Sequence, residues 1–320
     1  MEYRYFKNTR LKTSVIGMGG WPMGKGMYGP VDEKESKAAV SKAYDLGITL
    51  FDTAPNYGWG VGETIIGQAL KDVRRNCIIV TKAGIVWDPN NHDLTLKTDS
   101  SKEFLNKSLE GSLKRLQTDY IDLFVIHFPD SKVPLSEPME VFAKWKKEGK
   151  IRYGGVSNFN VEQMEECLKT FPIICNQVGY NLFDRRPEEK MFPFCKNNGL
   201  SAMAYGSLAF GLLTGTMTKD TKFTEDDWRH GLEAFGLPIF QGKYFLHNLE
   251  IVEKLKKIAA SQGKTVAQLA AAWVISNPVI TVALTGVRKP SEIEENVVAG
   301  DWKLTKDIKS EIDAAFAGLI

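Results

Sequence analysis

Short apolar runs alternate with amphipathic stretches along nearly the whole chain. Residues 14–18, 49–52, 77–82, 121–127, 151–156, 173–177, 200–205 and 280–284 read as eight strands. Their hydrophobic residues run continuously instead of alternating with polar ones, as expected for a parallel sheet buried on both faces. Helical spacing fills the intervals, at residues 32–46, 62–70, 101–116, 135–148, 160–170, 187–198, 248–262, 265–276 and 306–316. Asp32, with Glu35 at the capping-box position, and Asn160 are the expected caps of two of these helices, and Phe104, Leu105, Leu109, Leu113 and Leu116 form one apolar stripe. Residues 3–6 and 11–13 read as a hairpin ahead of the first strand.

Eight strand-then-helix units predict an α/β fold, a closed (β/α)₈ TIM barrel with an N-terminal β-hairpin and extra C-terminal helices. The 320 residues, 43% of them hydrophobic, are ample for one well-buried core. No linker or composition shift divides them, so residues 1–320 are expected to form a single domain. Residues 219–243, rich in charge and glycine, are the least ordered-looking segment. They form the loop after strand seven, over the active face of a barrel. The net charge of +2 is interspersed along the chain and offers no basic patch for nucleic acid. The N-terminal residues lack the apolar core of a signal peptide, and the longest apolar stretch, 270–284, is broken by Ser276-Asn277-Pro278. A cytoplasmic protein with no membrane partner is expected. Cys77, Cys167, Cys175 and Cys195 have no metal or CxxC spacing and are expected to be reduced and buried, with no metal site. Oligomeric state stays open.

Chemistry concentrates at strand ends. Asp52 closes strand two, Lys82 strand three and His127 strand four, and Tyr57 follows Asp52 by five residues. On neighbouring parallel strands these groups meet at one rim, forming a proton-transfer site around the phenol. A phenol of pKa about 10 is a poor acid at neutral pH, and the Lys82 ammonium is expected to lower that value. Asp52 is expected to pair with Lys82, and His127 to orient a substrate oxygen. Each residue alone has a plainer reading, as cap, packing aromatic, surface charge or structural imidazole. Their collection at one rim favours catalysis. Gly24-Lys-Gly26-Met-Tyr-Gly29 matches GxGxxG, but it neither follows a strand directly nor opens a helix, so it reads as a rim loop. A doubly wound alternative, with Asp52 binding ribose, leaves Tyr57, Lys82 and His127 without a role.

The chain resembles the aldo-keto reductase family. The resemblance runs from Ser14-Val-Ile-Gly-Met-Gly to Ile293-Glu-Glu-Asn296. It is carried by Asp52-Thr-Ala-Pro-Asn-Tyr57-Gly58, Gly62-Glu63, Thr81-Lys82, Ile126-His127-Phe-Pro-Asp130 and Gly154-Gly-Val-Ser157-Asn158-Phe159. Phe128-Pro129-Asp130 and Asp226-Asp-Trp-Arg229 are similar to the bacterial branch that includes inositol-cluster and general-stress reductases. The resemblance implies that Asp52, Tyr57, Lys82 and His127 are a catalytic tetrad with Tyr57 the general acid. The implied reaction is NADPH-dependent reduction of an aldehyde, ketone or sugar carbonyl. The alternative is an NADPH-binding, redox-sensing subunit with little turnover.

Phosphates in barrels commonly bind near the loops after strands seven and eight. Arg288 and Lys289 stand there beside Ser291 and Glu294, which form a capping-box pattern opening a helix. By the resemblance, Ser157, Asn158 and Gln177 hold the nicotinamide carboxamide and Tyr205 stacks on the ring. Gly206, Ser207, Leu208, Gly211 and Leu213 cross the pyrophosphate. Gly286, Arg288, Glu292, Glu295 and Asn296 take the adenosine end, and Gly20 and Trp21 complete the cofactor set. Two positions depart from the family pattern. Gly206 and Ser207 replace a Ser-Pro pair, which is expected to leave that loop freer. Glu292 replaces a common Gln, and its carboxylate favours a ribose diol over a 2′-phosphate. NADP(H) preference with NAD(H) tolerated is therefore expected. Trp21 and Trp87 are assigned to the pocket of a small-molecule carbonyl substrate, ahead of Tyr28 and Trp59.

Overall fold

The computed structural model describes residues 1–24, 28–87, 97–225 and 227–317. Lys25 to Met27 of the GxGxxG stretch and Asp226 therefore lie outside the described residues. A hairpin, β1 (Tyr3–Tyr5) with β2 (Lys12–Ser14), precedes the barrel. The barrel strands and their helices follow in order: β3 (Ile16–Gly19), α1 (Glu33–Asp45), β4 (Leu50–Asp52), α2 (Val61–Leu70), β5 (Ile78–Ala83), α3 (Lys102–Leu116), β6 (Ile121–Ile126), α4 (Ser136–Lys147), β7 (Ile151–Ser157) and α5 (Val161–Thr170). Then come β8 (Cys175–Gly179), α6 (Met191–Asn197), β9 (Ser201–Tyr205), α7 (Gly242–Ser261), α8 (Val266–Ile275), β10 (Ile280–Gly286), α9 (Pro290–Val297) and α10 (Lys306–Ala315). Strands β3 to β10 pair in parallel, each with the next, and β10 closes on β3. The expected eight-stranded barrel with an N-terminal hairpin is the observed fold.

Side-chain parity decides what faces the barrel interior. Leu50, Val80, Leu123, Val125, Cys175, Met203, Val282 and Leu284 form the inner cluster. Phe51, Ile79, Phe124, Ile126, Val178, Ala202 and Ala204 pack in the layer beneath the helices. Two residues further along, the inner parity reaches Asp52, Lys82, His127, Gln177 and Tyr205 at the C-terminal rim. The N-terminal end is closed by the hairpin, whose Phe6 and Leu11 join the inner cluster.

Several boundaries differ from expectation. The first predicted strand breaks after Ser14, which ends the hairpin, and its Oγ donates to Ile16 O at 2.7 Å. The sixth starts and ends two residues later, so Gln177 lies inside β8. The single helix expected over 187–198 is instead a 3-10 turn, Arg186–Glu188, followed by α6. Prolines explain this: Pro187 and Pro193 each occupy a first turn, where the missing N–H costs nothing. Helix α7 starts at Gly242, earlier than the apolar spacing suggested, because Phe245 is already buried. Asp32 caps α1 through the Lys34 and Glu35 amides, and Asn160 forms a capping box with Gln163. The Ser291–Glu294 box does not form: α9 begins at Pro290, its N-cap is Lys289, and no side chain caps it. All four cysteines are free and buried. Among the described residues, no helix is long and apolar enough to cross a membrane.

Candidate functional site

Strand pairing brings the four rim residues together. Asp52 pairs in register with Gly19 and Val80, and Lys82 with Val125. The Lys82 ammonium is fully buried, donating to Asp52 Oδ1 at 2.7 Å and to Thr53 O at 2.9 Å. Gln177 Nε2 donates to the other Asp52 oxygen, Oδ2, at 2.7 Å. Tyr57 comes from the loop after β4. Its ring lies 4.9 Å from Lys82 Nζ and meets the His127 ring edge-on at 5.8 Å between centroids.

Burial sets the electrostatics. It raises the Asp52 pKa and lowers that of Lys82, each moving toward its neutral form, while the contact between them acts against both shifts. The pKa of His127 is held well below the ordinary imidazole value, first by burial and then by the Lys82 charge, so the ring is neutral at neutral pH. Tyr57 corrects an expectation. Its pKa lies well above that of a free phenol, because burial, Asp52, Tyr205 and Tyr28 all favour the protonated form. Lys82 does not reverse this, since its charge is answered by Asp52 at 2.7 Å.

A cavity of about 780 Å³ opens above these residues and runs across the rim to the start of α9. Asp52, Tyr57 and His127 line one end. Ser157, Asn158, Gln177, Tyr205, Gly206, Ser207, Leu208 and Gly211 line the middle, and Gly286, Arg288, Glu292, Glu295 and Asn296 the far end. Asn158 sits at φ 61, donates to His127 O at 3.1 Å and accepts from the Tyr205 hydroxyl at 2.8 Å. Gly206 is needed for its geometry: its φ is 64, and a Cβ would come 2.8 Å from the Phe210 ring. The substitution expected to loosen this loop therefore supplies a left-handed turn packed on an aromatic ring. At the far end, Glu292 accepts from the Arg288 backbone N–H at 2.7 Å and pairs with its guanidinium at 3.8 Å.

Two residues assigned to the cofactor from sequence do not reach the cavity wall. Leu213 is fully buried in the hydrophobic core. Gly20 donates its N–H to Asp52 O at 2.7 Å, and a Cβ there would come 2.8 Å from the same oxygen. It is a close-approach glycine beneath the site. Gly24 of the GxGxxG stretch plays a similar part, since a Cβ would lie 2.5 Å from Gly58 N.

Trp21, Trp87, Tyr28 and Trp59 all line the cavity. Sequence reasoning missed Phe128, Phe210, Trp228 and Phe235, which complete an aromatic wall. Trp228 stacks on Trp21 at 5.1 Å, and Asp227 pairs with Tyr28 as an isolated antiparallel bridge. Arg229 is held by both Asp227 oxygens, at 2.9 and 2.6 Å, with its guanidinium over the Tyr28 ring. The segment after β9 thus covers the cavity, as its position suggested, but through specific aromatic and ionic contacts. The sign of this in the sequence was the aromatic set Phe223, Trp228, Phe235 and Phe240 interspersed among charges, with Asp227 and Arg229 flanking Trp228.

The profile of the Aldo/keto reductase family matches residues 15–317. The Bacillus subtilis protein named Aldo-keto reductase YhdN is 40% identical over 323 residues, spanning 100% of this chain and 95% of that protein. The structure of the glycerol dehydrogenase AKR11B4 from Gluconobacter oxydans is 34% identical. It superposes with a TM-score of 0.88, covering 98% of this chain and 95% of its own. An aldo/keto reductase from Klebsiella pneumoniae, in complex with NADP and acetate, is 29% identical with a TM-score of 0.75, covering 98% and 95%. A buried Asp–Lys pair beside a phenol and an imidazole, at the C-terminal rim of this barrel, thus occurs in a chain that belongs to the aldo-keto reductase family, enzymes of NAD(P)H-dependent carbonyl reduction.

Proposed function

We propose that the protein reduces an aldehyde, ketone or sugar carbonyl with NADPH, with Asp52, Tyr57, Lys82 and His127 as its catalytic residues. The carrying observation is the Tyr57 ring, its centroid 4.9 Å from Lys82 Nζ and edge-on to the His127 ring, at one end of the long cavity. A bound nicotinamide supplies the hydride for the carbonyl carbon. Tyr57 donates the proton to the carbonyl oxygen; burial and Asp52 make it a weak acid, so transfer waits until the oxygen gains alkoxide character and becomes more basic than a phenolate. Lys82, 4.9 Å from the ring, stabilises the phenolate that remains. His127, neutral, donates its single N–H to the same oxygen and orients it. Asp52, gripped by Gln177, holds Lys82 in place.

The cavity fits a dinucleotide in extent and in chemistry. Amides of Asn158 and Gln177 lie next to its reacting end, hydrogen-bonded to His127 O and to Asp52 respectively, and Arg288 and Lys289 lie at the far one. Ser157, Asn158 and Gln177 would hold the carboxamide, and Tyr205 would face the ring. Gly206, Ser207, Leu208 and Gly211 would follow the pyrophosphate. Gly286, Arg288, Glu292, Glu295 and Asn296 would take the adenosine end, with Arg288 on the 2′-phosphate. The NADP complex of the Klebsiella relative supports that choice. NADH is tolerated because Glu292 already engages the Arg288 guanidinium. Trp21 and Trp87 contact the small-molecule substrate. Residues 1–320 act as a single domain in this reading, within the bacterial branch of inositol-cluster and general-stress reductases, in keeping with 40% identity to the Bacillus protein.

Tyr57→Phe tests the reaction. Turnover of a panel of aldehydes, ketones and sugars, followed by NADPH absorbance, is expected to fall by about 10²–10⁴-fold while NADPH still binds. Full retained activity would remove Tyr57 from its role.

A further inference from the structure

Glu63 is a fully buried carboxylate with no part in the chemistry above. It lies in the first turn of α2. Its Oε1 accepts from Thr81 Oγ1 at 2.6 Å, and its Oε2 from Arg115 Nε of α3 at 2.6 Å. Burying a carboxylate costs several kcal/mol, which packing alone gives no reason to accept.

The two partners explain its place. Thr81 directly precedes Lys82 in β5, and strand alternation turns its hydroxyl outward where Lys82 turns inward. Helix α2 directly follows the loop that carries Tyr57, and Gly62 N donates back to Tyr57 O at 3.2 Å. Glu63 therefore fastens the backbone bearing the phenol to the strand bearing the ammonium. Arg115 extends the tie to the cavity wall, with its guanidinium 5.3 Å from the Trp87 ring centroid. Gly60 leaves room for it, since a Cβ there would come 2.8 Å from Arg115 Cδ.

We propose that Glu63, acting through Thr81, is a positioning residue that sets the approach of Tyr57 to Lys82 for proton transfer. The proposal rests on the reaction assigned to Tyr57. Displacements of about 1 Å in a reacting geometry cost on the order of a hundredfold in rate.

The test compares Thr81→Val, Thr81→Ser and Glu63→Gln in the full chain, measuring kcat, NADPH affinity by fluorescence and thermal unfolding. Thr81→Val, which keeps the volume and loses the hydroxyl, and Glu63→Gln are expected to lower kcat by about tenfold to a hundredfold, with NADPH affinity held within about twofold. Thr81→Ser, which restores the donor, is expected to keep kcat near the parent value. If Glu63→Gln does not fold, the Thr81 pair decides. Parental kcat in Thr81→Val, beside an inactive Tyr57→Phe, overturns this inference alone. A kcat loss matched by an equal loss of NADPH affinity also overturns it. Full activity of Tyr57→Phe overturns the reaction reading, and this inference with it.

Discussion

The two ends of the barrel are built from the same strands with the same parity, and their chemistry is opposite. At the N-terminal end, Leu50, Val80 and Leu123 meet Phe6 and Leu11 of the hairpin in an apolar plug. At the C-terminal end, the same inward positions carry Asp52, Lys82, His127, Gln177 and Tyr205 beneath an open cavity. One end is stabilised by removing apolar surface from water. The other holds charges that water would otherwise solvate, and it does so only through close pairing, with Lys82 fully buried against Asp52. Barrels of this kind can keep the first end for stability and vary the loops of the second, which is why their active sites lie at strand C-termini.

Breaking the polar end should cost most. Lys82→Met leaves Asp52 buried without its cation and is expected to destabilise the fold by about 3–5 kcal/mol, with turnover lost as well. Denaturant unfolding beside an activity assay checks both. A stable, active variant would mean that the pair is dispensable.

At the plugged end, Phe6→Ala is expected to cost a similar amount, about 3–5 kcal/mol, by opening a cavity in the inner cluster. Here kcat at temperatures where the variant stays folded should match the parent. A specific loss of kcat would show that the two ends are coupled.

Acid sharpens the contrast further. His127 has its folded pKa well below the ordinary value of 6.5. The unfolded chain therefore takes up a proton near pH 6.5 that the folded chain refuses. This stability is present above pH 6.5 and is lost as pH falls below it, by up to about 1.4 kcal/mol per pH unit. His127→Gln should flatten that limb in melting curves between pH 7.5 and 5.5, whereas Phe6→Ala should leave its slope unchanged. An unaltered acid limb in His127→Gln would place the titration elsewhere.

The smallest effect is expected at the far end of the cavity. Glu292→Gln frees the half-exposed Arg288 from its paired carboxylate. The ratio of NADPH to NADH affinity should rise by a few-fold, the scale of an exposed ion pair. A fall in that ratio would contradict the role given to Glu292.

Most of the barrel was legible because parallel strands buried on both faces leave continuous apolar runs. The rim residues were legible because charges at the ends of such runs have no packing reason to be there. The misses share a cause too. Pro187 and Pro193 split a helix whose apolar spacing looked unbroken. The Ser291 cap failed because the helix begins at Pro290, two residues too early for it. Leu213 and Gly20 lie in segments that border the cavity, but their own surfaces turn into the core and against Asp52. Trp228 and Phe235 belong to a charge-rich segment with scattered aromatics, whose place over the cavity depends on an Asp227–Tyr28 bridge across nearly two hundred residues.

By itself the sequence determined the periodicities, and through them the eight-stranded barrel and the parity that collects Asp52, Lys82 and His127 at one rim. These follow from local geometry, two residues per strand repeat and 3.6 per helical turn. Only the tertiary structure decided the upward direction of the Tyr57 pKa, the grip of Gln177 on Asp52, the buried tie through Glu63 and the aromatic wall around Trp228. Each depends on how much water is excluded and on which distant groups meet. Desolvation and long-range contacts are properties of the folded surface, and no local pattern encodes them.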